Sequence, residues 1–274
     1  MRSLNVTFIV RGGLLALLTA LLVGGAGLAL IISRTPVGQA PDPTPPPPTI
    51  LASRAPLPPG PVGLRALVTY GEESPRLAGS GFLLALESGD VVGVMASHSI
   101  ALGNAARLPE RVTLRVAGQA DQALVFDTLW GPPGRPDGTL AMDCVLLRPA
   151  GPVDPVWVLT PDPRGAPQPG ERVTLFSGLG DGDGGRRMLA GTVQSVGESG
   201  AWMLMDASFN PAMMSGSPVL SQHTGQVVGM ALAAAPRRWR LLIGMNPIRH
   251  IVRQAEAASE FPTLIEYRWP VSSQ

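Results

Sequence analysis

Hydrophobic residues in the second part of the chain come in short runs, some continuous and some alternating with polar residues, and Gly, Pro and Asp residues separate the runs. Runs of this kind between turn residues are typical of the strands of an all-β sandwich or barrel. About a dozen strands are therefore predicted. They comprise residues 64–70, 81–86, 91–96, 112–116, 123–130, 140–147, 173–176, 188–196, 202–205, 219–220, 227–232 and 239–243.

One helical pattern follows the last predicted strand. Asn246 and Pro247 resemble a helix start, with a polar cap and a proline in the first turn. The apolar residues beyond them recur at helical spacing and predict a short amphipathic helix with Arg249 and Arg253 facing outward. These apolar residues are Ile248, Ile251, Val252 and Ala255. Residues 264–269 are expected to add an edge strand or to pack back on the barrel.

An uncharged apolar segment covers residues 12–33, with Arg2 and Arg11 before it and Arg34 after it. Its length of about 20 residues is sufficient to cross a bilayer as a helix. We therefore expect residues 1–34 to form an uncleaved transmembrane signal anchor, with the C-terminal part outside the cytoplasm according to the positive-inside rule. A cleaved signal peptide is the alternative, although its apolar region is normally only about 7 to 15 residues long.

Prolines dominate the segment that follows, residues 35–63. Such a sequence favours extended polyproline II conformation and acts as a semi-rigid spacer. The alternative is a docking site for an SH3-like or WW-like module. The remaining residues, 64–274, are expected to form the folded domain, held away from the membrane by this spacer.

Composition and charge narrow the function classes. The formal net charge is +1, so nothing indicates a nucleic-acid partner. Cys144 is the only cysteine, which excludes an intramolecular disulfide. It follows Asp143 within a predicted strand, and strand alternation predicts that it is a small core residue on the opposite face.

The candidate chemistry is concentrated in residues 206–219. Ser215 is followed by Gly216, Ser217 and Pro218, and this group lies between two apolar runs. A sharply turned loop that presents a hydroxyl between two strands is predicted. Because a serine alone is a weak nucleophile near neutral pH, the prediction requires a base and a group that orients that base.

This segment resembles the active-serine segment of chymotrypsin-fold serine proteases, most closely that of the bacterial HtrA-type branch. Three departures stand out: Ser217 replaces a Gly, one extra residue lies between Pro211 and Ser215, and Met213 and Met214 replace a Gly and a polar residue. The residues that fall on the family pattern are Asp206, Ala207, Asn210, Pro211, Ser215, Gly216 and Pro218. The resemblance implies two six-stranded antiparallel β-barrels with the site in the cleft between them.

In this family the catalytic residues follow the chain order His, Asp, Ser, and this order selects the candidates. Only His98 precedes Ser215, since the other two histidines follow it. His98 ends an apolar run, and residues 79–82 resemble the Gly-Ser-Gly-Phe strand that precedes the family's general base. Asp143 is flanked by apolar residues, where a carboxylate needs a partner, and it resembles the family's orienting Asp. Asp127 and Asp137 are the alternatives.

The resemblance implies a membrane-tethered serine endopeptidase that acts on proteins or peptides through His98, Asp143 and Ser215. The backbone N–H groups of Met213 and Ser215 would form the oxyanion hole. Phe209 lies near the position that shapes the primary specificity pocket and argues against an Arg- or Lys-directed pocket, so small or apolar side chains are expected before the cut.

Such a triad requires neither a cofactor nor a metal, and none is expected. Residues 181–185 lack most of the acidic positions of a calcium loop and predict a hairpin turn instead. The alternative function, from a different class, is a pseudoprotease that uses the same barrels as an exported binding or scaffold module.

Overall fold

The computed structural model describes residues 54–59, 62–100, 102, 107–119, 121–136, 138–180 and 188–268. The expected membrane anchor, most of the proline-rich segment, Asp137 and the 181–185 turn lie outside these residues. Within the described ranges, no helix has the length and apolar character needed to cross a bilayer. The prediction of a transmembrane anchor therefore stays a prediction.

The first half of the domain is a β-barrel built from an eight-stranded sheet. Its backbone order is β5-β4-β1-β2-β3-β7-β6, and β8 pairs with β2. In β1, residues alternate between buried and partly exposed positions, as expected for a strand with one face in the core. The strands are β1 Leu64–Tyr70, β2 Arg76–Ala85, β3 Val91–Met95, β4 Pro109–Arg115, β5 Ala123–Phe126, β6 Thr128–Leu129, β7 Val145–Arg148 and β8 Val158–Leu159.

The second half closes into a six-stranded barrel in the order β10-β11-β14-β13-β12-β9. All its neighbouring strands are antiparallel. The strands are β9 Arg172–Phe176, β10 Met188–Gly197, β11 Gly200–Met205, β12 Pro218–Ser221, β13 Val227–Arg237 and β14 Arg240–Pro247. The all-β fold with two barrels is confirmed, and each predicted run overlaps at least one strand.

The first barrel exceeds the six strands expected for two reasons. The predicted run 123–130 divides at Asp127, because the residue before it pairs with β4 and the residue after it pairs with β7. In addition, β8 lies in residues 149–170, the segment between the two barrels, where no strand was predicted, and pairs in parallel with β2 through Leu83 and Leu84.

A short helix, α1, covers Ile248–Glu256. It lies where the helical spacing predicts it, and Ile248, Ile251 and Ala255 are buried. The predicted cap is wrong: Asn246 belongs to β14 and is fully buried, and Pro247 is the N-cap residue without a side-chain capping bond.

The segment after α1 packs back on the first barrel, which was one of the two expected outcomes. Leu264 is fully buried in the core of that barrel. The backbone N–H of Leu264 donates to the carbonyl of Asp127, and the N–H of Leu129 donates to Pro262. Trp269, the last residue of the predicted edge segment, lies outside the described residues.

A shared core joins the two barrels. One cluster of buried residues includes Phe82 and Val94 of the first barrel together with Met230 of the second barrel and Ile251 of α1. Each barrel also has a core of its own. Because the apolar contacts between the halves are continuous, the loops at their junction are held in a defined relation to each other.

Candidate active site

His98 lies where β3 gives way to a 3₁₀ turn, Ser97–Ser99. Residues 92–95 of β3 are buried, and the turn carries the chain out of the sheet at the junction of the barrels. The His98 side chain is partly exposed, at 28% of its reference area. An imidazole in this position is accessible to a second molecule on one side while it contacts the protein on the other.

Asp143 is the partner of this imidazole. Its carboxylate accepts a hydrogen bond from His98 Nδ1 at 2.5 Å and another from the His98 backbone N–H at 3.1 Å. Asp143 is buried, and these two bonds offset the cost of taking a carboxylate out of water. The carboxylate holds the proton on Nδ1, which leaves Nε2 free to act as an acceptor.

The predicted strand around Asp143 is wrong in its first part. Residues Leu140–Met142 form a 3₁₀ turn, Asp143 follows it, and β7 begins only at Val145. Cys144 is fully buried in the shared core, so the prediction of a small core residue holds. Burial, and secondarily the nearby Asp143 carboxylate, raises the pKa of the Cys144 thiol far above its ordinary value.

Groups from the second barrel and from α1 fix the backbone on both sides of Asp143. Asn246 Nδ2 of β14 donates to the carbonyl of Ala141 at 3.1 Å. Gln254 Nε2 of α1 donates to the carbonyl of Cys144 at 3.3 Å. The N–H of Ala141 donates to the carbonyl of Ser199, which lies between β10 and β11. The acid of the first barrel is therefore positioned by elements of the second half.

The loop that carries Ser215 starts at an ion pair on the second barrel. The carboxylate of Asp206 pairs with the Arg172 guanidinium at 2.5 Å, and this hydrogen bond is the main reason that the pKa of Asp206 lies below its ordinary value. Asn210 Oδ1 then accepts from the N–H of Ala212 at 3.0 Å, which turns the chain toward Ser215.

Backbone contacts hold Ser215 against the first barrel. The carbonyl of Ser215 accepts a hydrogen bond from the N–H of Ser80 in β2 at 2.9 Å. Gly216 has φ of 89°, and a Cβ there would lie 1.9 Å from the Ser80 carbonyl oxygen and 3.4 Å from the Ala96 nitrogen. Only glycine fits such a position. The serine therefore lies beside the strand and the turn that lead to His98.

The hydroxyl of Ser215 donates to the carbonyl oxygen of Leu232 in β13 at 3.0 Å. A bulge in the β13–β14 ladder between Ala231 and Ala233 leaves Leu232 out of the pairing register. Its carbonyl is thereby available to the serine. Among the described residues, His98 and Ser215 are not joined by a hydrogen bond.

Met213, two residues before the serine, has φ of 62° and is half-exposed. A residue with a side chain in this left-handed region stores strain of about 1 to 3 kcal/mol. In the described part of the chain, the backbone N–H groups of Met213 and Ser215 donate no hydrogen bond, whereas that of Met214 donates to Pro211. Two unpaired donors in this loop can receive an anionic oxygen.

Phe209 is partly buried and packs against the core of the second barrel, as does Ala234 of β13. The edge of β13 near the serine is open: β12 pairs with β13 only as far as Met230, and β14 covers the other edge up to Arg237. An extended peptide can therefore add to β13 next to Ser215.

The alternative candidates do not join this site. Asp127 is exposed, and its carboxylate accepts from the Thr128 hydroxyl. Asp137 lies outside the described residues. His250 lies on α1, where its Nε2 accepts from Arg249 Nε at 3.3 Å. His223 follows β12, and its carbonyl accepts from the N–H of Ala55.

Sequence reasoning missed the contributions of Leu232, Asn246 and Gln254. No motif distinguishes these residues, because each acts through a contact with a distant part of the chain. Asn246 carried one usable signal: a polar residue follows the apolar run at the end of β14, and it was assigned to the helix cap instead of the core.

A comparison with protein families identifies the domain. The model of the trypsin-like peptidase domain matches residues 79–230, which is more than half of the chain. The chain belongs to the trypsin-like peptidase domain family. The matched range includes His98, Asp143 and Ser215, so the trypsin-like peptidase domain contains the whole cluster described above. Among curated proteins, no sequence matches this trypsin-like peptidase.

Solved structures share the fold of this trypsin-like peptidase. A thermostable serine protease AL20 from an extremophilic microorganism matches with a TM-score of 0.52 at 11% identity, over 73% of this chain and 97% of that one. Human heparin binding protein matches with a TM-score of 0.51 at 14% identity, over 76% of this chain and 96% of that one. Kallikrein-related peptidase 10 matches with a TM-score of 0.50 at 17% identity, over 73% of this chain and 95% of that one. At these identities the likeness concerns the fold alone.

Proposed function

We propose that this protein is a serine endopeptidase in which His98, Asp143 and Ser215 form the catalytic triad. The contact between His98 Nδ1 and the buried Asp143 carboxylate is the observation that carries the proposal. An exposed His bonded to a buried Asp at a barrel junction, beside a serine on a tight glycine turn, is the arrangement that nucleophilic acyl transfer requires.

The reaction starts when the Ser215 hydroxyl leaves the Leu232 carbonyl and turns to His98 Nε2. Its oxygen attacks the peptide carbonyl carbon while Nε2 takes the proton. The Asp143 carboxylate keeps the ring oriented and stabilises the imidazolium. His98 then returns the proton to the leaving amine, which leaves an acyl-enzyme. Water repeats the sequence on the ester and releases the acid.

The N–H groups of Met213 and Ser215 would stabilise the oxyanion. Both donors are unpaired in the described part of the chain, so neither has to break a protein hydrogen bond. Donors fixed before the reaction stabilise developing charge without reorganisation, and each contributes about 10²- to 10³-fold to turnover. The strained backbone of Met213 sets how well the first donor is aimed, and we expect low basal activity for this reason.

Substrate would bind as an added strand along β13. Arg237 and Arg240 close a two-residue hairpin, and the alternation of an antiparallel ladder then turns the N–H and C=O groups of Ala234 away from β14. The peptide residue just before the cut would lie opposite Leu232. Ala234 can therefore exchange hydrogen bonds with the peptide residue two positions upstream of it. Phe209 and Ala234 give this part of the cleft an apolar lining, which favours small or apolar side chains at the cut.

The uncharged segment 12–33 and the proline-rich segment 35–63 support a tethered enzyme that works outside the cytoplasm. Reporter fusions at the C-terminus test this part of the proposal together with the mass of the mature chain. A fusion that is active only in the cytoplasm would reverse the topology. A mature chain that begins near Pro41 would identify a cleaved signal peptide.

A fluorophosphonate probe tests the catalytic proposal directly. We expect the full-length protein in non-ionic detergent to be labelled on Ser215, and the label to disappear in Ser215→Ala but not in Ser217→Ala. A label on Ser217 would show that the nucleophile is wrongly assigned.

The second candidate is a pseudoprotease that serves as an exported binding module. Two observations favour it: the Ser215 hydroxyl bonds to Leu232 and not to His98, and a methionine occupies the strained position 213. Absence of labelling in both the wild type and Met213→Gly would establish this candidate over the enzyme.

A further inference from the structure

The tip of the β13–β14 hairpin combines three arginines with an exposed tryptophan. Arg237 and Arg240 form its closing pair, and Arg238 and Trp239 make the turn. Trp239 is 83% exposed, more than the other exposed large hydrophobic residues of the described chain. An exposed indole among guanidinium groups has no role in the core, and this composition is typical of a binding surface.

The turn at this tip is strained. Arg238 has φ of 51°, and within the described residues it is, with Met213, one of two non-glycine residues at positive φ. A two-residue hairpin with positive φ only at its first turn position normally takes glycine there. An arginine in that position is strained, and such strain concentrates at functional sites.

Two arginines of the tip, Arg238 and Arg240, are not neutralised by a paired carboxylate among the described residues. In the described chain, neither Arg238 nor Arg240 forms an ion pair within 4.0 Å. Arg240 is close enough to Asp206 to lower its pKa, but Asp206 is already paired with Arg172. The tip therefore keeps a positive charge that an acidic ligand can meet.

The open edge of β13 leads from the serine to this tip. Ser215 contacts Leu232, so the residue at the cut lies opposite Leu232, and an antiparallel peptide then advances one residue for each residue of β13. Its third residue before the cut lies opposite Ala234 and its fifth opposite Pro236. The residues further from the cut reach Arg237, Arg238 and Trp239.

We propose that this Arg-Trp tip is a subsite for acidic side chains at the fifth to seventh positions before the cut, so that the preferred substrates are peptides with an acidic stretch upstream of an apolar cut site. The inference rests on the proposed function, because the alignment of the peptide with β13 assumes that Ser215 attacks the peptide bond at the cut. Pro236 lacks an N–H, so backbone pairing weakens at this point, and side-chain charge replaces it as the source of affinity. Exposed ion pairs are weak singly, and several of them with an aromatic contact give useful selectivity.

The test measures binding, so that it does not depend on turnover. Two fluorescent peptides share a cut site of alternating Ala and Val and differ upstream, with Asp-Glu-Asp in one and Asn-Gln-Asn in the other. Their affinity for full-length Ser215→Ala protein in non-ionic detergent is measured by anisotropy. We expect about tenfold tighter binding of the acidic peptide at low salt, falling toward equality at about 0.5 M salt.

Variants locate the effect. Arg238→Gly, which suits the positive φ, and Trp239→Ala should each reduce the preference, whereas Arg238→Lys should retain most of it. The control is Arg111→Ala, since Arg111 is also an exposed arginine and lies on β4 of the first barrel. An acidic preference that survives in the double variant Arg238→Gly, Arg240→Ala would overturn the proposal.

Two further outcomes are distinguishable. If the wild type cleaves both peptides equally well and the Ser215→Ala protein binds them equally, the subsite is refuted while the endopeptidase stands. If nothing is cleaved but the tip-dependent acidic preference remains, the subsite belongs to a binding module. The rival partner is an anionic membrane. Its signature would be a blue shift of the Trp239 emission, measured against Trp239→Phe, in phosphatidylglycerol vesicles but not in phosphatidylcholine vesicles. That shift, found without any acidic-peptide preference, would assign the tip to lipid headgroups instead.

Discussion

The hydroxyl of Ser215 and the carbonyl of Leu232 are joined by a hydrogen bond of 3.0 Å, which occupies the proposed nucleophile at rest. Exchange of this bond for one to His98 replaces one neutral acceptor with another, and a neutral hydrogen bond contributes only about 0.5 to 1.5 kcal/mol net. In the proposed mechanism, the resting contact therefore adds only a small barrier. It also keeps the serine within the site while the cleft is empty.

Ser215→Ala and His98→Ala should each remove nearly all peptidase activity, and the double variant should be little worse than either. The two residues act as one unit, so their losses do not add. Steady-state turnover on a peptide substrate measures this. Additive losses would count against a shared step.

A fluorophosphonate probe should label the Met213→Gly variant faster than the wild type. The rate should rise by about tenfold or more if the Met213 N–H points away from the oxyanion position at rest. Glycine adopts φ of 62° without strain, so the backbone can aim its N–H at the oxyanion. Arg238→Gly is the matched control, because it relieves a similar φ far from the serine. Equal labelling of the wild type and Met213→Gly would show that the methionine is accommodated without cost.

Ser217→Ala should retain activity and be as stable as the wild type, or more stable by up to about 1 kcal/mol. The Ser217 hydroxyl is fully buried and has no hydrogen-bond partner within the described structure, so its removal relieves an unsatisfied group. Thermal unfolding and turnover, measured on the same preparations, check both parts. A loss of more than about 1 kcal/mol would mean that this hydroxyl has a partner.

Asn246→Ala should lower kcat by about tenfold and leave KM nearly unchanged, because a displaced turn misorients Asp143 without touching the substrate edge. The amide of Asn246 holds the Ala141 carbonyl two residues before Asp143. Gln194→Ala is the control, since within the described residues the Gln194 side chain bonds only to the nearby Thr192 carbonyl on β10. A rise in KM with unchanged kcat would assign Asn246 to substrate binding.

Asp162→Asn should destabilise the protein by about 3 kcal/mol at neutral pH, the usual cost of removing one partner of a buried ion pair. Burial alone would raise the pKa of Asp162, but hydrogen bonds from Arg164 and Thr224 outweigh it and hold the pKa below its ordinary value. Because the pKa of Asp162 is lower in the folded than in the unfolded state, its carboxylate stabilises the fold at pH values above the ordinary carboxyl pKa of about 3.9. This contribution is lost as the pH falls through the pKa of the folded state.

The difference in stability between wild type and Asp162→Asn should therefore shrink below about pH 4. Chemical denaturation from pH 7 to pH 3 measures it. Asp206→Asn is the comparison: its ion pair with Arg172 is partly exposed, and the loss should stay below about 1 kcal/mol. A difference for Asp162→Asn that does not change with pH would mean that its carboxylate is not charged in the folded state.

The sequence by itself determined most strand positions and the helix at 248–256 from local patterns. The three candidate residues of the site came from local patterns together with the resemblance to a serine-protease family and its chain order. Alternation reports which face of a strand is buried, and a serine on a glycine turn or a carboxylate in an apolar run is unusual within a few residues. Cys144 was predicted as a core residue for the same reason.

Only the tertiary structure decided how these residues meet. The contact of His98 with Asp143 joins residues 45 positions apart, and that of Asn246 with Ala141 joins residues 105 apart. The bulge at Leu232, which turns its carbonyl to Ser215, follows from how β13 fits between β12 and β14. Periodicity cannot report such contacts, because it records whether a residue is buried and not against what. Packing of one barrel on the other selects the partners, and with them the geometry of the site.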